Sequence, residues 1–247
     1  MPAGAGQGDC KVRGLLAFLL MVPMLALASG AELHLDKAPD RANDMGALQN
    51  GAKVFVNYCL NCHGASYMRY NRLKDLGLTD EQIKNNLMFT ADKVGELMKI
   101  SMQPDDAKAW FGVAPPDLTV IARARASESG SGADWLYTYL RSFYRDDARP
   151  SGWNNIVFEN VGMPHVLWEL QGEQVMGEDH RLKLAKPGKL TSEEYDALVA
   201  DLVAYLKYMG EPISEFRKNL GVAVLIALAV LFVFSYALKR EYWKDIH

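Results

Sequence analysis

Cys59, Cys62 and His63, in the run Cys59-Leu60-Asn61-Cys62-His63, are the residues whose types and spacing carry a specific chemistry. Two thiols three positions apart, followed at once by an imidazole, form the spacing at which a polypeptide attaches haem covalently. Each thiol forms a thioether to a vinyl group of one macrocycle, and the imidazole serves the iron as its fifth ligand. Three other readings compete with haem. A structural zinc site needs about four Cys or His ligands, yet the only further cysteine is Cys10, in a segment expected to be removed. A thioredoxin-like dithiol belongs in a strand–helix–strand setting, and none is legible around Cys59. The last alternative is chance occurrence of the motif in a folded domain. The motif predicts an electron carrier with one haem c.

An electron carrier generally fills the sixth iron position as well. A thioether suits a high-potential site, because a soft neutral ligand favours ferrous iron. The candidates are Met68, Met88, Met98, Met102, Met163, Met176 and Met209, with His165 and His180 as alternatives. Met88, Met98 and Met209 fall on apolar helical faces, where methionine is more often core filler. Met163 lies instead in Asn160-Val161-Gly162-Met163-Pro164, where glycine permits close approach of the backbone and proline fixes its exit. Met163 is therefore the preferred distal ligand, with Met102 and His165 behind it.

The elements that position these residues read as mainly helical. Leu48, Ala52, Phe55 and Cys59 recur every three to four residues from Met45, so this helix delivers Cys59. Thr79-Asp80-Glu81-Gln82 is a capping box opening a short helix through Leu87. Val94, Leu97, Met98 and Met102 suggest a helix over 92–102, and Asp134 is expected to cap one from Trp135 to Tyr144. Thr191 to Glu194 forms a second capping box before the stripe Leu198, Leu202, Tyr205, Leu206 and Met209, which Gly210 and Pro212 end. Between them, 103–125 and 149–189 read as loops too long for a compact domain unless they wrap something. A haem would be that core.

The two ends address the chain to a membrane. Lys11 and Arg13 precede a fourteen-residue apolar run, Leu15 to Ala28, and small residues follow through Ala31. This is the pattern of a signal peptide cleaved near residue 30. Leu220 to Leu238 is a nineteen-residue run without charge, about 28 Å long as a helix and close to the hydrocarbon thickness. The expected organisation is a signal over 1–30, an exported c-type haem domain over 31–216, a transmembrane helix with flanks over 217–240 and a cytoplasmic tail over 241–247. Residues 1–30 and 239–247 each carry a formal +1 within a net charge of −3, so the rest carries −5. An acidic exported domain steers basic partners equally well as it stays soluble. No basic stripe interleaved with aromatics points to nucleic acid.

Cys59-x-x-Cys62-His63, Tyr70-x-x-Leu73, Ala114-Pro115-Pro116-Asp117-Leu118, Met163-Pro164 and one C-terminal span running into Lys239-Arg240 occur in that order. This ordered set resembles the cytochrome c1 family, the haem subunit of the cytochrome bc1 complex, over nearly the whole mature chain. The resemblance implies a covalent six-coordinate haem c and a redox subunit that itself makes and breaks no bond. It implies electrons arriving from a Rieske iron–sulfur protein and leaving to a soluble or tethered c-type cytochrome. Cytochrome b would hold the span, within a dimeric quinol:cytochrome c oxidoreductase. Residue by residue, Met163 matches the distal ligand, Pro116 lies in the stretch whose carbonyl orients the His63 ring, and Arg125 matches an arginine at the haem propionates, with Arg123 as its substitute. The long acidic segment of eukaryotic members is missing, which together with the simple signal is similar to a bacterial version, set in the inner membrane with its haem domain in the periplasm. The alternatives are another tethered monohaem cytochrome such as an oxidase subunit or shuttle, a haem enzyme with an open iron position, and a non-redox membrane-anchored module.

Overall fold

The computed structural model describes residues 34–245; the signal reading lies outside them. Helix α1, Met45–Val54, starts where the extended Asp44 accepts the Ala47 amide on its side chain at 3.0 Å. Its buried face is Leu48, Gly51 and Ala52. Helix α1 does not run regularly to Cys59: Phe55–Cys59 form one π-helical turn, closed by the Leu60 amide on the Phe55 carbonyl at 3.0 Å. Such a turn re-aims the residues that follow it, and here those are the C-x-x-C-H residues.

Strand β1, Ala65–Arg69, leads into a 3-10 turn over Tyr70–Leu76, and α2 spans Asp80–Asn86 with both bonds of the Thr79 capping box formed. The helix expected over 92–102 is absent. Leu97–Met98 form strand β2 against β1, and the carbonyls of Val94 and Glu96 accept the amides of Asn71 and Tyr70. Gly95 sits in the middle of that stretch and costs a helix about 1 kcal/mol, while pairing with 65–71 satisfies the backbone. Both segments expected as long loops contain structure. The first holds α3, Pro104–Phe111, and α4, Ile121–Ala124.

Helix α5, Gly132–Arg141, is capped by Ser131, one turn earlier than expected; Asp134 is its third residue and completes the capping box. It stops at Arg141 because Phe143–Arg145 are drawn into a sheet as β3. The second supposed loop supplies the rest of that sheet: β4 (Trp153–Asn155), the short α6 (Trp168–Gln171), β5 (Gly172–Met176) and β6 (Leu182–Pro187). The strand order is β4-β3-β5-β6, with β3 and β5 parallel through Arg145 and Val175 and the other pairs antiparallel.

Helix α7, Ser192–Gly210, opens with the expected box: Thr191 accepts the Glu194 amide at 3.3 Å, and the Glu194 side chain accepts the Thr191 amide at 2.9 Å. It packs across α1, with Phe55 and Tyr205 rings 5.6 Å apart. The crossing depends on Gly51, where a Cβ would lie 2.1 Å from the Asp201 carbonyl oxygen. The core thus lies among α1, α5 and α7, with Leu48, Ala52, Leu140, Leu202 and Leu206 buried. Finally α8 spans Ser214–Tyr242, and within its stretch Phe216–Tyr242 an eighteen-residue window has mean hydropathy 2.6, with none of that window buried. The mainly α class expected from the sequence holds, with two small sheets added and, among the described residues, one helix long and apolar enough to cross a membrane.

Candidate functional site

Cys59 ends the π turn, and the chain then tightens: the amides of Cys62 and His63 both bond the Cys59 carbonyl, at 3.1 and 2.8 Å. This turn sets both thiols and the imidazole along one wall of a cleft of about 380 Å3, within the size range of small-molecule pockets. Cys59 is buried and Cys62 half-buried. Burial first, and the neighbouring Cys62 second, push the Cys59 thiol up to about 12, so it stays protonated.

His63 is oriented by the segment from Pro115 to Thr119. Its Nδ1 lies 2.7 Å from the Pro116 carbonyl oxygen; a carbonyl only accepts, so Nδ1 carries the proton and Nε2 keeps its lone pair for a metal. Burial lowers the His63 pKa, against the Pro116 bond and the charge of Asp117, which raise it. The ring is neutral near pH 7. Asp117 fastens the segment to the strand after the histidine: it accepts the Ser66 amide at 2.6 Å, the Thr119 amide at 2.8 Å and the Thr119 hydroxyl at 2.5 Å. The Leu118 amide adds a bond to the Gly64 carbonyl at 2.9 Å. Burial pushes the Asp117 carboxyl up, but the bonds from Thr119 and Ser66 outweigh it and hold it below the usual range.

Met163 stands in the wall of the same cleft, and among the described residues no other methionine does. Its loop is held on three sides. Asn160 has φ 60°, a left-handed conformation that asparagine tolerates. Arg149 grips this residue through its side-chain oxygen at 2.8 Å and its carbonyl at 3.1 Å, and the Asn154 side-chain oxygen accepts its amide at 2.9 Å. At Gly162 a Cβ would come within 3.1 Å of both the Phe111 carbonyl and the Val113 side chain, so glycine lets the loop close on α3. The Tyr139 hydroxyl lies 3.4 Å from Met163 Sδ.

The alternatives to Met163 fall elsewhere. His165 is 2 % exposed, stacked on Phe143 at 4.8 Å and edge-on to Trp153 at 5.0 Å, outside the cleft wall. Burial drives its pKa down to about 4. Met98 is buried under the Tyr205 hydroxyl, 3.8 Å away, and Met102 is not in the wall. Of the two arginines, Arg125 lines the cleft, its guanidinium 4.5 Å above Trp135 and 5.6 Å from Phe158. Arg123 reaches Glu211 instead, at 3.6 Å.

Two thiols, an imidazole of fixed tautomer and a thioether share a cleft otherwise lined mainly by apolar and aromatic side chains. Among the described residues no group of three or more His, Cys, Asp or Glu side chains is placed to hold a metal ion. The donors suit an iron that arrives already held by a macrocycle, which needs few ligands from the chain. Sequence reading missed Tyr139 and Arg149 and placed Trp135 and Asn160 only as positions in a helix and a loop, with no role at the site. Tyr139 carried no signal beyond the period of α5, and Arg149 and Asn160 meet only through the fold.

The chain is 51% identical to a protein of Nitrosomonas europaea named ammonia monooxygenase gamma subunit, covering 96% of this chain and 99% of that one. It is 48% identical to cytochrome c1 of Allochromatium vinosum, over 94% and 98% of the two chains. A protein of Bradyrhizobium diazoefficiens named cytochrome b/c1 is 28% identical over 83% of this chain and 34% of that longer one. The model of the cytochrome C1 family matches residues 37–246. Proteins of that family carry one covalently bound haem c and are the electron-transfer haem subunit of the membrane-bound bc1 complex, beside cytochrome b and a Rieske protein. With the family model spanning nearly all of it and a haem-attachment motif set in an apolar cleft, the chain belongs to the cytochrome c1 family.

Proposed function

We propose that Cys59 and Cys62 would tether the haem, that His63 and Met163 would ligate its iron, and that this site relays electrons from the Rieske protein to a c-type cytochrome. The observation that carries the assignment is the gathering of Cys59, Cys62, His63 and Met163 in one cleft, with His63 Nδ1 held on the Pro116 carbonyl at 2.7 Å. Bound haem supplies one reversible electron at its iron. The chain supplies everything else. Two thioethers fix the ring against loss. The Pro116 bond makes the His63 ring a stronger donor and prevents its rotation. Met163, a soft ligand, favours the ferrous state and so a high potential. Arg125, inside the cleft, would pair with propionate oxygens, and the apolar wall keeps water from the iron.

The site sits on the exported side in this reading. Residues 31–216 form the haem domain in the periplasm, 217–240 cross the inner membrane against cytochrome b, and 241–247 end in the cytoplasm. The signal pattern at the N-terminus and, among the described residues, one long apolar helix near the C-terminus support that orientation. The name borne by the Nitrosomonas relative would ask for oxygen chemistry. With His63 and Met163 both ligating the iron, no position would be left for dioxygen, and this favours electron relay.

Met163→Leu in the intact complex tests the ligand set. The potential should fall and the ferrous protein should bind carbon monoxide. An unchanged potential and continued resistance to carbon monoxide would hand the sixth position to another residue.

A further inference from the structure

Among the described residues the Tyr139 hydroxyl has one acceptor, Met163 Sδ at 3.4 Å. A thioether sulfur has two lone pairs; if one goes to iron, the second remains for a proton donor. Tyr139 is well placed to be that donor. Its ring stacks on Trp135 at 4.7 Å with planes 14° apart, and its edge meets Phe143 at 5.0 Å. With both contacts made, the ring cannot swing away from the loop. The sulfur contact also joins the two halves of the cleft, since Trp135 carries the Arg125 guanidinium on its ring.

We infer that Tyr139 is a positioning residue for electron transfer, whose hydroxyl donates a hydrogen bond to the Met163 sulfur and thereby tunes how strongly that sulfur donates to the iron. This rests on the reading that Met163 is the distal ligand. A hydrogen bond withdraws electron density from the sulfur. Ferric iron needs that density more than ferrous iron does, so the bond raises the potential; potentials respond to hydrogen bonding around the ligands. It also holds the thioether in one rotamer, because a buried hydroxyl left unpaired is costly.

The test is Tyr139→Phe in the assembled membrane complex, which keeps both ring contacts and removes only the donor. The midpoint potential should fall and the sulfur-to-iron charge-transfer absorption should shift, with the six-coordinate ferrous spectrum retained. A difluorotyrosine at position 139, a stronger donor, should move the midpoint the opposite way. In a Met163→His background, where no sulfur remains, Tyr139→Phe should leave the midpoint unmoved. An unchanged midpoint and band in the single variant, or an equal fall in both backgrounds, would overturn the role of Tyr139 while leaving the ligand in place. If Met163→Leu alone left the ferrous spectrum and carbon monoxide resistance untouched, the ligand reading would fall and this inference with it.

Discussion

Gly51→Ala should destabilise the haem domain measurably, because the α1–α7 crossing has no room for a methyl group. The added Cβ would lie 2.1 Å from the Asp201 carbonyl oxygen, 2.7 Å from the Asp201 carbonyl carbon and 2.7 Å from Tyr205 Cβ. Comfortable nonbonded contact is roughly 3.5 Å, so the helices must part by on the order of 1 Å. Two of the obstructing atoms are backbone, and no rotamer change relieves them. Overpacking costs about 1–3 kcal/mol, and the rigid obstacle puts this site near the upper end. Alanine returns about 1 kcal/mol of helix propensity. The net loss is about 2 kcal/mol, which for a domain of this size lowers the melting midpoint by roughly 4–8 °C. The assay is thermal loss of the haem and aromatic circular dichroism in the purified complex. Gly95→Ala is the control, because nothing lies within 4 Å of its added Cβ. Equal midpoints for Gly51→Ala and Gly95→Ala would refute the close-crossing argument.

Two further predictions concern groups around the site. Arg149→Gln removes the grip on the left-handed Asn160; the Met163 loop should loosen, and ferrous carbon monoxide binding should rise above wild type, whereas equal binding would show that Asn154 and Gly162 suffice. Glu173 accepts Arg145 and Lys186 across the sheet, both at 3.0 Å, and those bonds hold its carboxyl down at about 2 instead of 4.5. A depressed folded pKa gives stability that is complete above pH 4.5 and is lost as pH falls from there toward 2. Acid unfolding should therefore be less steep across that window in Glu173→Gln, and an unaltered acid transition would remove Glu173 from the account.

How much of this was legible in the sequence depended on how far apart the cooperating residues lie. The capping boxes at Thr79 and Thr191 are complete within four residues, and both occur where the spacing put them. The apolar span is likewise a property of one uninterrupted run. The C-x-x-C-H box is local too, although its π turn was not foreseen, because Leu48, Ala52, Phe55 and Cys59 suit a regular helix and a π turn almost equally. Val94 to Met98 misled for the opposite reason. Their spacing suits a helical face, but their backbone groups are claimed by Tyr70 and Asn71, over twenty residues earlier. Strands β3 and β4 have three residues each and β6 is exposed along nearly its whole length, so neither alternation nor apolarity marks them.

The cleft divides along the same line. Met163 stood out because its loop grammar is written in five consecutive residues, whereas the groups that hold it come from three distant places: Tyr139 on α5, Arg149 in a turn and Phe111 at the end of α3. Iron ligands must be of particular chemical types and so announce themselves. The residues that orient them need only reach the right atom, and many side chains serve: the partner of His63 is a backbone carbonyl, which carries no side-chain signal at all. Members of the family can therefore keep the same donor set and still differ in what surrounds it. In this chain the adjustable part of the potential is expected to lie in Tyr139 and the Pro116 carbonyl, one acting on the thioether and the other on the imidazole. With Met163 and His63 as the iron ligands, their effects would have opposite sign: the bond to Met163 would weaken a donor and raise the potential, while the bond from His63 would strengthen one and lower it.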